Sequence, residues 1–99
     1  MRTVEEHLYL VTYDICDSKR LRRVHKLMKG YGEWVQLSVF QCRLSRRRLA
    51  EMQHLLDGAI VDTHDHVLIM DLGPADQVRP KVTSLGKTFE TVAREPTIV

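Results

Sequence analysis

A lone acid, Asp14, stands where an apolar stretch, His7-Leu8-Tyr9-Leu10-Val11-Thr12-Tyr13, gives way to a segment dense in positive charge. A carboxylate at the end of a core strand is held rigidly and can bind a hard cation such as Mg²⁺ through oxygen. Lys19, Arg20, Arg22, Arg23, Lys26 and Lys29 follow within fifteen residues. A cation-binding carboxylate beside a face that holds phosphates is what metal-dependent phosphodiester hydrolysis requires. An Asp in this place also serves simply as a turn or helix-capping residue, and these residues alone leave that reading open.

The spacing of the basic residues narrows the partner. Lys19, Arg22, Arg23 and Lys26 lie three or four residues apart, so on a helix they share one side. Such a stripe suits phosphates along a duplex better than a single base. No aromatic residues alternate with it, as stacking on single-stranded bases would require.

Other chemistry-bearing residues point to less. Asp62, His64, Asp65 and His66 lie together, but zinc takes three or four protein ligands and no Cys or third His is near in sequence. We read that stretch as a solvated turn. His25, among cations, reads as a surface residue and Cys16 as packing. No glycine-rich phosphate loop occurs.

The elements that must position these residues follow from periodicity. Residues 7–14 are β-branched and aromatic on both parities, which suits a central strand. Asp17 or Ser18 caps a helix whose buried stripe is Leu21, Val24, Leu27 and Met28, and which ends at Gly30 and Gly32. A second strand is expected over 34–43. Its one parity is Val35, Leu37 and Val39, and its other mixes Trp34, Gln36, Ser38, Phe40 and Cys42. Ser45 caps a second helix over 46–57, with Leu49, Met52, Leu55 and Leu56 inward. Arg46, Arg47 and Arg48 open that helix against its dipole, which hints at function. A third strand runs from His66 to Leu72 and stops at Gly73-Pro74. Residues 75–99 are less decided: Val82, Leu85, Phe89 and Val92 suit short strands or a helix, and Pro96-Thr97-Ile98-Val99 an extended tail.

This order matches a split βαβ layout in the α+β class, with two helices on one face of a small antiparallel sheet. The other sheet face is left open, which argues for a dimer. At 99 residues the chain makes one domain, 1–99, whose small core also favours dimerisation.

Composition sets further bounds. The apolar fraction of 43% is that of an ordinary globular chain. No apolar run reaches the ~20 residues of a membrane span, and no signal-peptide pattern is present. Two cysteines without CxxC spacing fit a reduced, cytoplasmic setting. The net charge of +2 conceals an asymmetry. Residues 1–50 hold eleven Lys and Arg against five acids, and residues 51–99 four against eight. The basic half is the one suited to a polyanion.

Tyr13-Asp14-Ile15, Lys19-Arg20-Leu21-Arg22-Arg23-Val24, Tyr31-Gly32, Val35-Gln36 and Ser38-Val39-Phe40-Gln41-Cys42 together resemble the small CRISPR-associated endonuclease family Cas2. Leu72-Gly73, Gly86 and the closing Pro96-Thr97-Ile98-Val99 fit more loosely, so the resemblance spans nearly the whole chain. It implies a ferredoxin-like homodimer that acts in CRISPR adaptation (spacer acquisition) beside the integrase subunit. It implies a Mg²⁺-dependent endonuclease acting on single-stranded RNA or double-stranded DNA. The family's strand-end acid falls on Asp14, as catalytic residue and metal ligand. Its helix cations fall on Arg20, Arg22 and Arg23, joined in the nucleic-acid face by Lys19 and Lys26. Its Ser-Val-Phe segment falls on Ser38, Val39 and Phe40, with Ser38 and Phe40 in support of the site. Gln41 stands where the family often has Glu, so that position brings no second acid. Two other readings are a non-catalytic dimeric scaffold that binds DNA for the integrase, and a toxin-like ribonuclease of similar fold.

Overall fold

The computed structural model describes residues 5–86. Six elements follow in the order β1 (Glu6–Asp14), α1 (Ser18–Lys29), β2 (Glu33–Gln36), β3 (Val39–Ser45), α2 (Arg46–Ala59) and β4 (His66–Pro74). The strands form one antiparallel sheet in the order β2-β3-β1-β4. This is the split βαβ arrangement expected, with β1 flanked on both sides.

Strand alternation gives the sheet two different faces. Tyr9, Val11 and Tyr13 of β1 point to one side and are buried. Their partners Cys42 and Phe40 on β3, with Ile69 and Val67 on β4, share that side. The helices cover it with Val24 and Met28 from α1 and Met52, Leu56 and Ala59 from α2. The opposite face carries Leu10, Thr12 and Asp14, set against Met70, Leu68 and His66 on β4. Leu68, Met70 and Leu72 stand exposed there, an apolar row of the kind that marks an association surface.

The helix signals hold at their starts. Asp17 caps α1 by accepting from the Arg20 N–H, and Ser45 caps α2 by accepting from the Arg48 N–H. Leu55, expected inward, is exposed, and Ala59 is buried in the last turn instead. Gly30 ends α1 with a right-handed φ of −81°, so it supplies no left-handed cap. Gly32 is required for space: a Cβ there would collide with Cys42 Sγ and the Gln41 carbonyl oxygen.

The strand expected over 34–43 is two strands. The chain reverses at Leu37-Ser38, and Gln36 pairs with Val39 across the turn. Leu37 takes φ +43°, a left-handed value more usual for Gly or Asn. The Trp34 indole N–H donates to the Leu37 carbonyl at 2.8 Å and fastens the turn. Neither Gly, Pro, Asn nor Asp marks the reversal, and Ser38 alone is a weak turn signal, so the sequence pattern reads through it as one strand. At the far end of the sheet β4 continues through Pro74, which an edge strand tolerates. Val82 and Leu85 lie exposed in irregular backbone. Phe89, Val92 and the 96–99 tail lie outside the described residues.

Candidate nuclease site

Asp14 is the last residue of β1 and is exposed, between buried Tyr13 and buried Ile15. Two anchored neighbours fix its backbone while alternation turns its carboxylate outward. Tyr13 is held from several sides. Its N–H donates to the Ser38 carbonyl at 3.1 Å. Its ring stacks with Phe40 at 6.3 Å, and its hydroxyl lies 2.9 Å from His25 Nδ1. Burial pushes the Tyr13 hydroxyl up to about 12. Ser38 and Phe40 thus hold Tyr13, the residue before Asp14: Ser38 by its backbone carbonyl, and Phe40 as a fully buried ring.

His25 is not a surface residue. Its ring packs edge-on against Phe40 at 5.3 Å and Trp34 at 6.1 Å. Burial first, then the charge of Lys29, lowers its pKa from the ordinary histidine value.

The loops on either side of Asp14 are tied by a second acid. Asp65 has a side chain with 0% exposure and accepts four hydrogen bonds. Cys16 N–H donates to it at 3.0 Å and Val61 N–H at 2.8 Å. Arg20 donates through Nε at 2.7 Å and through a terminal NH₂ at 3.1 Å, a two-pronged grip. The Arg20 guanidinium, followed by the Val61 and Cys16 N–H groups, holds the Asp65 carboxyl well below the usual carboxylate range. One carboxylate thus joins the β1–α1 loop, helix α1 and the loop before β4. The stretch read as a solvated turn contains this buried hub. Cys16 is likewise not packing: its thiol is exposed and donates to the His64 carbonyl at 2.8 Å.

The basic residues separate into two roles. Lys19, Arg22, Arg23 and Lys26 are exposed and make no ion pair among the described residues. At 100° per residue they fit within one arc of α1, leaving their charge available to phosphates. Arg20 lies off that arc and is spent on Asp65. Arg48, at the start of α2, is also structural in part. It donates to the Gly30 carbonyl at 3.1 Å and lies 4.6 Å over the Tyr31 ring.

The donor set suits one mode of metal binding. Among the described residues no three His, Cys, Asp or Glu side chains group as a closed cage. Mg²⁺ does not need one, since it binds through one or two carboxylates and keeps waters and phosphate oxygens as its other ligands. An exposed Asp14 with no hydrogen bond among the described residues fits that use. A shallow recess of about 640 Å³, lined by Leu8, Gly32, Gln41 and Arg43, lies toward the opposite end of β1. The chemistry-bearing acid is not in it.

Asp65 was missed in the sequence because burial of an acid leaves no periodic signal. The partnership of Asp14 with the start of β4 was missed because register is set in three dimensions.

A family model described as CRISPR associated protein Cas2 matches residues 7–79. The chain is 53% identical to the CRISPR-associated endoribonuclease Cas2 of Geobacter sulfurreducens, over 95% of this chain and 99% of that one. It is 55% identical to a CRISPR-associated endoribonuclease Cas2 of Rhodospirillum rubrum, over 99% and 96% respectively. Its structure resembles the crystal structure of Streptococcus pyogenes Cas2, with a TM-score of 0.70 and 34% identity, over 80% of this chain and 99% of the other. The match over residues 7–79, the identity to these relatives along nearly the whole chain and the shared fold agree, and the chain belongs to the CRISPR-associated Cas2 family.

Proposed function

We propose that this protein is a metal-dependent endonuclease of the CRISPR adaptation machinery, working in the cytoplasm as a homodimer beside the integrase subunit. The observation that carries the nuclease reading is Asp14: a rigidly mounted, outward-facing carboxylate without a partner among the described residues, next to a free cationic arc. A structural aspartate at the same place would be satisfied, as Asp65 is. The names of the Geobacter and Rhodospirillum relatives favour RNA as the substrate cut. The arc of Lys19, Arg22, Arg23 and Lys26 favours duplex phosphates for binding.

The open sheet face supports the dimer. It carries Leu10, Leu68, Met70 and Leu72, and Asp14 stands on the same face at its edge. A second copy laid on this face covers the apolar row and brings a second Asp14 toward the first. One carboxylate per chain then becomes two per site.

Bound there, Mg²⁺ would polarise the phosphodiester and acidify a water for in-line attack. The residues of the chain do the rest. Asp14 supplies oxygen donors. The α1 cations hold flanking phosphates and offset charge that grows in the transition state. The Asp65–Arg20 clamp keeps the β1–α1 junction from moving as the substrate enters.

Labelled single-stranded RNA and duplex DNA, incubated with wild type and Asp14→Ala in Mg²⁺ or chelator, test this. Cleavage that needs both the ion and Asp14 is expected. Equal cleavage by the variant refutes it. The exposed cationic arc also suits a second reading, a DNA-binding scaffold for the integrase that does not cut. Tight, salt-sensitive duplex binding with no Asp14-dependent cleavage would favour it.

A further inference from the structure

We infer that His66 is a second protein ligand beside Asp14, and that this pair takes a first-row transition ion such as Mn²⁺ in preference to Mg²⁺. The inference rests in part on the reading of Asp14 as a metal-binding carboxylate.

Asp14 and His66 are direct cross-strand partners in the β1–β4 register. Residues paired in this way project from the same face with Cβ atoms roughly 5 Å apart. Both side chains are exposed. Neither makes a hydrogen bond or ion pair among the described residues, although an acid and an imidazole at this spacing are natural partners. Two such groups, side by side and unspent, can share a third body that accepts donors from both.

Their backbones are also fixed relative to one another. Asp65 immediately precedes His66, and its carboxylate binds the N–H of Cys16, two residues beyond Asp14. Arg20 and the Val61 N–H complete the clamp. The end of β1 and the start of β4 are thereby tied by an ion pair whose carboxylate is fully buried, rather than left to fray.

The donor types choose the ion. A carboxylate alone suits Mg²⁺, which coordinates oxygen almost exclusively. An imidazole nitrogen in the set adds affinity for transition ions and little for Mg²⁺. Two ligands per chain leave open positions for water and phosphate oxygens, as a catalytic rather than a structural site requires. His64 lacks the placement: it lies in the turn, its Nδ1 2.9 Å from Thr63 Oγ1.

The test is binding of Mn²⁺ and Mg²⁺ by calorimetry to the full chain, with pulsed electron paramagnetic resonance of the Mn²⁺ form. Wild type is expected to bind Mn²⁺ at least tenfold more tightly than Mg²⁺ and to show ¹⁴N coupling from an imidazole. His66→Gln is expected to lose the ¹⁴N coupling and most of the Mn²⁺ preference, with Mg²⁺ binding and melting temperature unchanged. His64→Gln keeps wild-type values. Nitrogen coupling that survives in His66→Gln, or an unaltered Mn²⁺ preference, overturns the assignment. The two readings fail separately. Asp14-dependent cleavage without a His66 signal leaves the nuclease and removes the ligand, whereas a His66 signal without cleavage does the reverse.

Discussion

Two aspartates lie close together at one end of the sheet and live in opposite environments. Asp65 is buried, accepts four hydrogen bonds and is gripped by Arg20. Asp14 is exposed, and no donor among the described residues reaches it. A carboxylate that holds a fold together uses up its lone pairs on the protein, and one that holds a ligand must keep them free. The same division runs through the cations of α1: Arg20 serves the fold, while Lys19, Arg22, Arg23 and Lys26 face solvent. Residue type cannot separate these roles, but satisfaction of hydrogen-bonding capacity can.

Asp65→Asn leaves Arg20 without its counter-charge and weakens the acceptors for Cys16 and Val61. Its melting temperature is expected to fall by on the order of 10 °C, because breaking a buried ion pair is among the costliest single changes. Asp14→Asn is expected to melt within about 2 °C of wild type, since surface changes are nearly neutral. Equal losses in calorimetry would erase the distinction between the two acids.

Phosphate binding sharpens the same contrast among the cations. Replacing Arg22, Arg23 or Lys26 by Ala is expected to lower the slope of log affinity against log salt by about one each. Arg20→Ala is expected to lower the melting temperature and leave that slope nearly unchanged. Fluorescence anisotropy with a labelled duplex, over a salt series, reads both. A full unit of slope lost in Arg20→Ala would show that its charge is not spent on Asp65.

The pH dependence of stability separates this acid from His25, which packs against Trp34 and Phe40. The Asp65 carboxyl is depressed in the fold, so its contribution is present above the unfolded value of about 4 and is lost as pH falls further. His25 is also depressed in the fold. Its contribution is present above about pH 6.5 and is lost as pH falls below that value, because the half-buried ring resists its proton. Melting temperatures across pH 3 to 8 are expected to show both limbs, the upper one smaller. Asp65→Asn shrinks the lower limb, to which Asp71, depressed by its hydrogen bond with His7, also contributes, and His25→Gln shrinks the upper. A limb of unchanged size in its own variant contradicts the assignment.

The smallest effect is expected at the β2–β3 turn. Leu37 is 79% exposed and holds φ +43°, so its side chain contributes little packing while its backbone is strained. Leu37→Gly is expected to stabilise the fold by about 0.5–1 kcal/mol in denaturant unfolding, the relief of a left-handed L-residue less glycine's extra chain entropy. A destabilised variant would mean that Leu37 packs against a partner in solution.

These contrasts explain what was legible beforehand. The apolar run 7–13, the caps Asp17 and Ser45, and the stripe Leu21, Val24, Leu27 and Met28 are local patterns, and each gave its element directly. Asp14 and the cationic arc were legible because exposed charge beside a core strand is visible as a change in composition. Three features were not. The turn at Leu37-Ser38 uses a residue that ordinarily avoids such a conformation. The burial of Asp65 and the half-burial of His25 depend on groups brought from distant parts of the chain. The pairing of Asp14 with His66 depends on register between strands more than fifty residues apart.

The most direct test sets the two aspartates side by side in one assay. Wild type, Asp14→Asn and Asp65→Asn would be incubated with labelled single-stranded RNA and duplex DNA, well below their melting temperatures, with divalent metal or with chelator. The account predicts that Asp14→Asn loses cleavage by roughly 10²-fold or more while its fold is intact, and that Asp65→Asn, where folded, keeps measurable metal-dependent cleavage. Cleavage retained by Asp14→Asn and abolished in folded Asp65→Asn would contradict it and move the chemistry to the buried acid.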